Sequence, residues 1–222
     1  MNEFWQMSAW EFIKEGGPMM APILLCSLMA FSIIIEKFMY FVSLRTNLLQ
    51  LKRQIFQQLK DNNIKEALNT CEGNPSPLAQ ILKAGISKFG SSREEIKEQM
   101  ENASLFEIPK LENRLNALAT IAHIAPLLGF LGTVTGMISI FHTIQARSAS
   151  MNPVTAGDLA GGISEALITT TAGLMVAIPA YVAHNYFVSR VNTIVLEMEH
   201  GAAELLHLAS YQSTQSTETD SQ

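Results

Sequence analysis

The 222-residue chain reads as an all-α, polytopic membrane protein with three transmembrane helices and long helical cytoplasmic extensions. Three observations predict this class. Charged residues make up only 16% of the chain and hydrophobic residues 48%, against about 25% charged in ordinary soluble domains. The deficit is concentrated in three apolar stretches, each close to the roughly 20 residues a helix needs to cross the hydrocarbon. Outside them the chain is normally charged. The net charge of −5 is mild and no basic face stands out, so nucleic acid is not expected as a partner.

The first fifteen residues, MNEFWQMSAWEFIKE, lack a basic n-region, an apolar core and a small-residue cleavage site, and are not read as a signal peptide. Phe4, Trp5, Ala9, Phe12 and Ile13 recur at helical spacing, with Trp5 and Trp10 beside them. Residues 1–16 therefore predict an amphipathic helix at a periplasmic membrane surface. Gly16, Gly17 and Pro18 open the first span, residues 17–42, because proline is tolerated in a first helical turn. Glu36-Lys37 and the aromatic residues Phe38, Tyr40 and Phe41 read as anchors at its inner edge. The second span, 117–141, holds no Asp, Glu, Lys or Arg in 25 residues; the third, 161–182, holds one acid, Glu165. Pro126 and Pro179 lie inside these spans, where neighbouring groups can satisfy the carbonyls they free.

Residues 43–116 carry 11 of the 15 Lys and Arg, while residues 142–160 carry only Arg147. The positive-inside rule puts 43–116 in the cytoplasm, with the N-terminus and the 142–160 loop outside. Within 43–116, Leu44, Leu48, Leu51, Ile55 and Leu59 follow a helical period that continues from the first span. The Gly73-Asn74-Pro75-Ser76-Pro77 break precedes a second helix at about 78–89. Ser92 with Glu95 resembles a capping box, opening a helix that runs into the second span with a kink at Pro109. A cytoplasmic helix, 183–209, extends the third span along the stripe Val188, Val191, Val195, Met198, Ala202, Leu205. The polar tail 210–222 reads as disordered.

The chemistry-bearing residues are few. Ala125, Gly129, Gly132, Thr133, Gly136 and Ile140 share one face of the second span, and Gly162, Ala166, Thr169, Thr170, Gly173 and Ala177 share one of the third. Gly129, Gly132, Gly136 and Gly173 on these small-residue faces read as helix-packing positions. A lone membrane threonine usually bonds back to its own helix, but here two spans place hydroxyls at matching depth. At 1.5 Å per residue, Thr133 lies about 12 Å and Thr170 about 13.5 Å from the outer end. Hydroxyls both donate and accept, so a ring of them can hold water in an apolar tube. Glu165, about 6 Å from the outer end, reads either as part of an ion path or as a contact at the outer interface. His123 reads as a packed neutral imidazole bonded to a backbone carbonyl, with a proton relay as the alternative. Cys26 and Cys71 read as free thiols, and no metal-ligand spacing or cofactor motif occurs. No nucleophile–base pair or phosphate loop is present, since Gly129-x-x-Gly132 is not followed by Lys-Ser/Thr; an enzyme is not expected. A proton conductor that does work has a carboxylate deep in the membrane, and apart from Glu165 this chain offers none.

The segments GGPMMAPILLCSLMAFSIIIEKFMYF (16–41), APLLGFLGTVTGMISIF (125–141) and GGISEALITTTAGLMVAIPAYVAHNYF (161–187) resemble the three helices of the ExbB/TolQ branch of the ExbB/TolQ/MotA proton-channel family. MotA-type members have four spans. The resemblance implies a homopentamer in the inner membrane of Gram-negative bacteria. Its pore would enclose the helices of ExbD- or TolR-like single-span subunits, whose aspartate is the protonatable group, and work would pass to a TonB- or TolA-like transducer. By motif position Thr133 and Thr170 match the family's pore threonines, and Glu165 the acid of its third helix. Thr169 and Thr171 add hydroxyls where relatives often have Ala. The function implied is the channel subunit of a proton-driven motor serving TonB-type transport. The alternatives are a TolQ-like subunit for envelope maintenance and a non-conducting membrane scaffold.

Overall fold

The computed structural model describes the backbone of residues 9–45 and 48–219, and the side chains of residues 12–44 and 50–210. Every element among them is helical: α1 (Ala9–Glu15), α2 (Met20–Arg45), α3 (Leu48–Lys60), α4 (Ile64–Glu72), α5 (Pro77–Ile86), α6 (Arg93–Glu112), α7 (Leu115–Ala149) and α8 (Ala156–Thr219). Among the described residues, three helical stretches are long and apolar enough to cross a membrane. The chain divides into two compact units, Met1–Glu36 with Arg114–Tyr186, and Lys37–Asn113 with Phe187–Gln222.

The first unit holds α1, most of α2, α7 and the first half of α8. Its small buried cluster is Met20, Ile23 and Ala172, with Phe12, Ile13, Leu128 and Val176 packed against it. Large apolar side chains such as Leu28, Phe31, Leu127, Phe130, Leu167 and Ile178 stay exposed, as expected of surfaces solvated by lipid. Glu36 pairs with Arg114. At the other end of α7, Arg147 Nη2 reaches Asp158 Oδ1 at 2.5 Å. The Thr155 N–H donates to Asp158 Oδ2 at 2.9 Å and the Thr155 hydroxyl at 2.7 Å. These two bonds, with the Arg147 charge behind them, hold the Asp158 carboxyl below the ordinary carboxylate range.

The second unit packs α3 to α6 against the later half of α8. Gly85 marks where α5, α6 and α8 meet: a Cβ there would lie 2.5 Å from Leu205 Cδ2 and 2.7 Å from Met100 Sδ. Lys52–Glu204 at 3.1 Å ties α3 to α8, and Lys83–Glu72 at 3.0 Å ties α5 to α4. Ser76 caps α5 and Ser92 caps α6, each hydroxyl accepting a backbone N–H at 3.3 Å.

Several expectations change. The helix after the first span is two helices, because Asp61-Asn62-Asn63 turns the chain at Asn62, whose φ is 58°. Asparagine tolerates the left-handed region better than most residues, so this signal was present in the sequence. The interruption before α7 falls at Asn113–Arg114, where Arg114 has φ 65°, and Pro109 sits inside α6. Lys37 is not an interface anchor: it is 5% exposed, and its Nζ donates to the Leu111 carbonyl at 3.0 Å. A cation there satisfies a carbonyl in the last turn of α6 and opposes the negative end of that helix. His123 is exposed on the chain rather than packed within it. The reading of Phe4 and Trp5 as part of an amphipathic helix lies outside the described residues, as does the Trp10 side chain. The backbone of α8 continues to Thr219, into the segment expected to be a tail; extending a formed helix needs no new nucleus. Side chains beyond Ser210 and residues 220–222 lie outside the described set.

Burial pushes the Cys71 thiol up to about 11, with nearby Lys83 opposing it. Relative to an ordinary thiol this leaves about 100-fold less thiolate at neutral pH. Maleimide labelling of the native protein at pH 7.5 should therefore leave Cys71 unmodified, and labelling after denaturation should be rapid.

Candidate functional site

The candidate site is the seam between α7 and α8 in the first unit. Ala125, Gly129, Gly132, Gly136 and Ile140 of α7 are buried, and so are Ala166, Thr169, Gly173 and Ala177 of α8. The glycines stand where the two backbones approach. A Cβ at Gly129 would lie 3.0 Å from the Thr169 carbonyl oxygen and 3.0 Å from Thr170 Cα; one at Gly136 would lie 2.8 Å from the Gly162 carbonyl oxygen. One at Gly173 would lie 2.6 Å from the Ala125 carbonyl oxygen. At Gly132 the space is filled by the Thr169 hydroxyl. Without a side chain at these positions, dispersion contacts between backbones replace those a larger pair would make, which is how membrane helices associate in the absence of a hydrophobic drive.

The threonines divide by environment. Thr169 is fully buried, its hydroxyl 3.0 Å from the carbonyl oxygens of both Glu165 and Ala166. It is enclosed between two helices of one chain. Thr170 is half-buried, and its hydroxyl lies 3.1 Å from the Ala166 carbonyl oxygen and 3.2 Å from that of Gly129 on α7. One hydroxyl proton is thus shared between its own helix and the neighbouring one. Thr133, half-buried at the edge of the seam, donates to the Phe130 carbonyl at 2.6 Å. Thr171 donates to its own helix at Leu167. A hydroxyl that donates to backbone keeps its lone pairs free to accept. Thr133 and Thr170 therefore present acceptors to any acid group brought beside them, and by rotating they become donors to its anion.

Glu165 does not join these hydroxyls. Its half-buried carboxylate lies against Gly17, in the turn before α2, where a Cβ would collide with it. Gly17 has φ 64°, a conformation open to glycine. The sequence placed Thr169 and Thr170 on one face, and only the packing separates the enclosed hydroxyl from the shared one. The Lys37–Leu111 bond had no local signal, since its partners are 74 positions apart.

Gly173→Val should disrupt the seam, because overpacking of this kind costs about 1–3 kcal/mol. Gly161→Ala, where nothing lies within 4 Å of the added carbon, should be neutral. Thermal unfolding of both variants in mild detergent checks the contrast.

A family model described as the MotA/TolQ/ExbB proton channel family matches residues 74–200, more than half the chain, including the whole seam. An ExbB-like biopolymer transport protein of Synechocystis sp. is 29% identical over 172 residues, covering 78% of this chain and 81% of its own length. The Tol-Pal system protein TolQ of Haemophilus influenzae is 35% identical over 152 residues, 63% of this chain and 64% of its own. The biopolymer transport protein ExbB of Xanthomonas campestris is 39% identical over 130 residues, 58% of this chain and 49% of its own. With three apolar helices and these relatives, the chain is a multi-pass membrane protein that belongs to the ExbB/TolQ branch of the MotA/TolQ/ExbB proton channel family.

Proposed function

We propose that this chain is the channel-forming subunit of an inner-membrane motor driven by the proton-motive force, and that the motor energises TonB-type transport across the outer membrane. One observation carries the reading. Two apolar spans, 117–141 and 161–182, hold accessible hydroxyls near their middles, while the one carboxylate within them, Glu165, lies near the outer end against Gly17. A proton that does work needs a carboxylate that alternates between charged and neutral forms deep in the membrane. That group then comes from a partner, an ExbD- or TolR-like single-span subunit with a membrane aspartate.

In this reading five copies surround the partner helices, with α7 and α8 lining the lumen and α2 facing lipid. The exposed Leu, Ile and Phe of α2 support that placement. Residues 43–116 are cytoplasmic and the 142–160 loop is periplasmic. A bare carboxylate in hydrocarbon stays protonated, because desolvation disfavours its charged form. Thr133 and Thr170 supply hydrogen bonds that partly replace water without the deep well a fixed cation would make. Equivalent hydroxyls on each copy offer equivalent stations as the partner turns. The same chemistry suits a TolQ-like subunit passing work to a TolA-like transducer, a second reading favoured by the likeness to the Haemophilus TolQ.

Thr133→Val and Thr170→Val keep shape and remove the hydroxyl. Each should lower proton-motive-force-dependent uptake about tenfold, the scale of one hydrogen bond at the rate-limiting step, while the partner still co-purifies. Transduction at the wild-type level in the double variant would instead mark the chain as a scaffold.

A further inference from the structure

Where α1 meets α2, Gly16 and Gly17 press against α8. A Cβ at Gly16 would lie 2.5 Å from Met20 Cγ and 3.1 Å from Ile168 Cγ2. One at Gly17 would overlap the Glu165 carboxylate. Glu165 and Ile168 are three residues apart on α8, so they share a face. Together they occupy both sides of one two-glycine turn. Immediately beyond it, Phe12 and Ile13 of α1, Met20 and Ile23 of α2, Leu128 of α7 and Ala172 and Val176 of α8 form the unit's apolar cluster. The first turn of α2 carries no acid of its own, and its early N–H groups lack carbonyls one turn back. Only short-range bonds, such as Met20 N–H to the Gly17 carbonyl at 3.2 Å, close it.

We propose that Glu165 is a positioning residue, a latch that holds the α1–α2 turn against α8, and not a carrier of protons. Its carboxylate fills the notch that glycine leaves at position 17. Its backbone carbonyl meanwhile accepts from the buried Thr169 hydroxyl at 3.0 Å. The latch thus sits beside the seam, one helical turn before Thr169, and fixes this part of α8 to the turn between the chain's first two helices. Occupying the notch takes a side chain of this length with a terminal oxygen; it does not take a group that titrates.

The test compares Glu165→Gln with Glu165→Ala, each in a chain carrying Ile13→Cys as reporter. Ile13 is half-buried in the cluster, so its reactivity toward an impermeant maleimide reads whether α1 is docked. Gln keeps the shape and an oxygen but cannot cycle a proton. It should leave both labelling and transduction within about twofold of the parent. Ala empties the notch and removes the terminal oxygen, so it should speed labelling roughly fivefold, the scale of one lost polar contact, and lower transduction with it. A Glu165→Gln chain that stays docked but loses transduction overturns the proposal in favour of a proton-carrying role. A Glu165→Ala chain that stays docked overturns it too. Gly17→Ala gives an independent check on the contact. It should speed labelling alone, and adding Glu165→Ala should bring little further change because both disrupt one contact; independent, multiplying effects would contradict the latch. Labelling requires no transduction, so the outcome is separate from that of the hydroxyl variants.

Discussion

The structure of the first unit depends on how closely two backbones can approach where no water is available to drive them together. Between α7 and α8 the limit is set by Gly129, Gly132, Gly136 and Gly173, where an added carbon would fall within about 3 Å of atoms across the seam or overlap them. Such an approach is the condition for the Thr170 hydroxyl to reach the Gly129 carbonyl oxygen, 41 positions away in sequence. A helix pair separated by even one methyl group on each side would leave that hydroxyl bonded only to its own helix. The seam also fixes which threonine is enclosed: Thr169 occupies the hollow at Gly132, whereas Thr133 and Thr170 stay partly open at its edges.

The division of polar groups follows the same economy. Hydroxyls satisfied by backbone carbonyls are tolerated in a span, and they retain acceptor capacity for a visiting acid. A carboxylate at that depth would meet the desolvation penalty alone. The one acid within these two spans, Glu165, lies near the start of the third, against a glycine turn, and the apolar middle of both spans is uncharged. The second unit is built on different rules, with capped helices, cross-helix ion pairs and a buried lysine on a helix's last turn.

The three spans, the glycine faces and the Ser92 cap were legible in the sequence because each rests on local periodicity or on a residue's own conformational preference. The capping of α6 by Ser92 needs only the residues from 92 to 95. What could not be read was set by long-range packing. Lys37 looked like an anchor because nothing near it in sequence offers a carbonyl in need of a donor; Leu111 does. His123 looked packed because its neighbours are apolar, yet helix geometry turns it outward. The split between Thr169 and Thr170 escaped a helical wheel because they are adjacent, and a rotation of about 100° per residue leaves both on the broad small-residue face. The turn at Asp61-Asn62-Asn63 was readable and was masked by the apolar period running up to it.

A double-mutant cycle of Gly129→Ala and Thr170→Val, read by thermal unfolding of the protein in lipid nanodiscs, tests the seam most directly. The added methyl pushes α8 away and the valine removes the hydroxyl, so both should break the same bond between the helices. The double variant should be less destabilised than the sum of the singles by about 0.5–1 kcal/mol, the range measured for hydrogen bonds between membrane helices. Strict additivity would mean that the approach at Gly129 and the hydroxyl of Thr170 are independent, and would contradict the account.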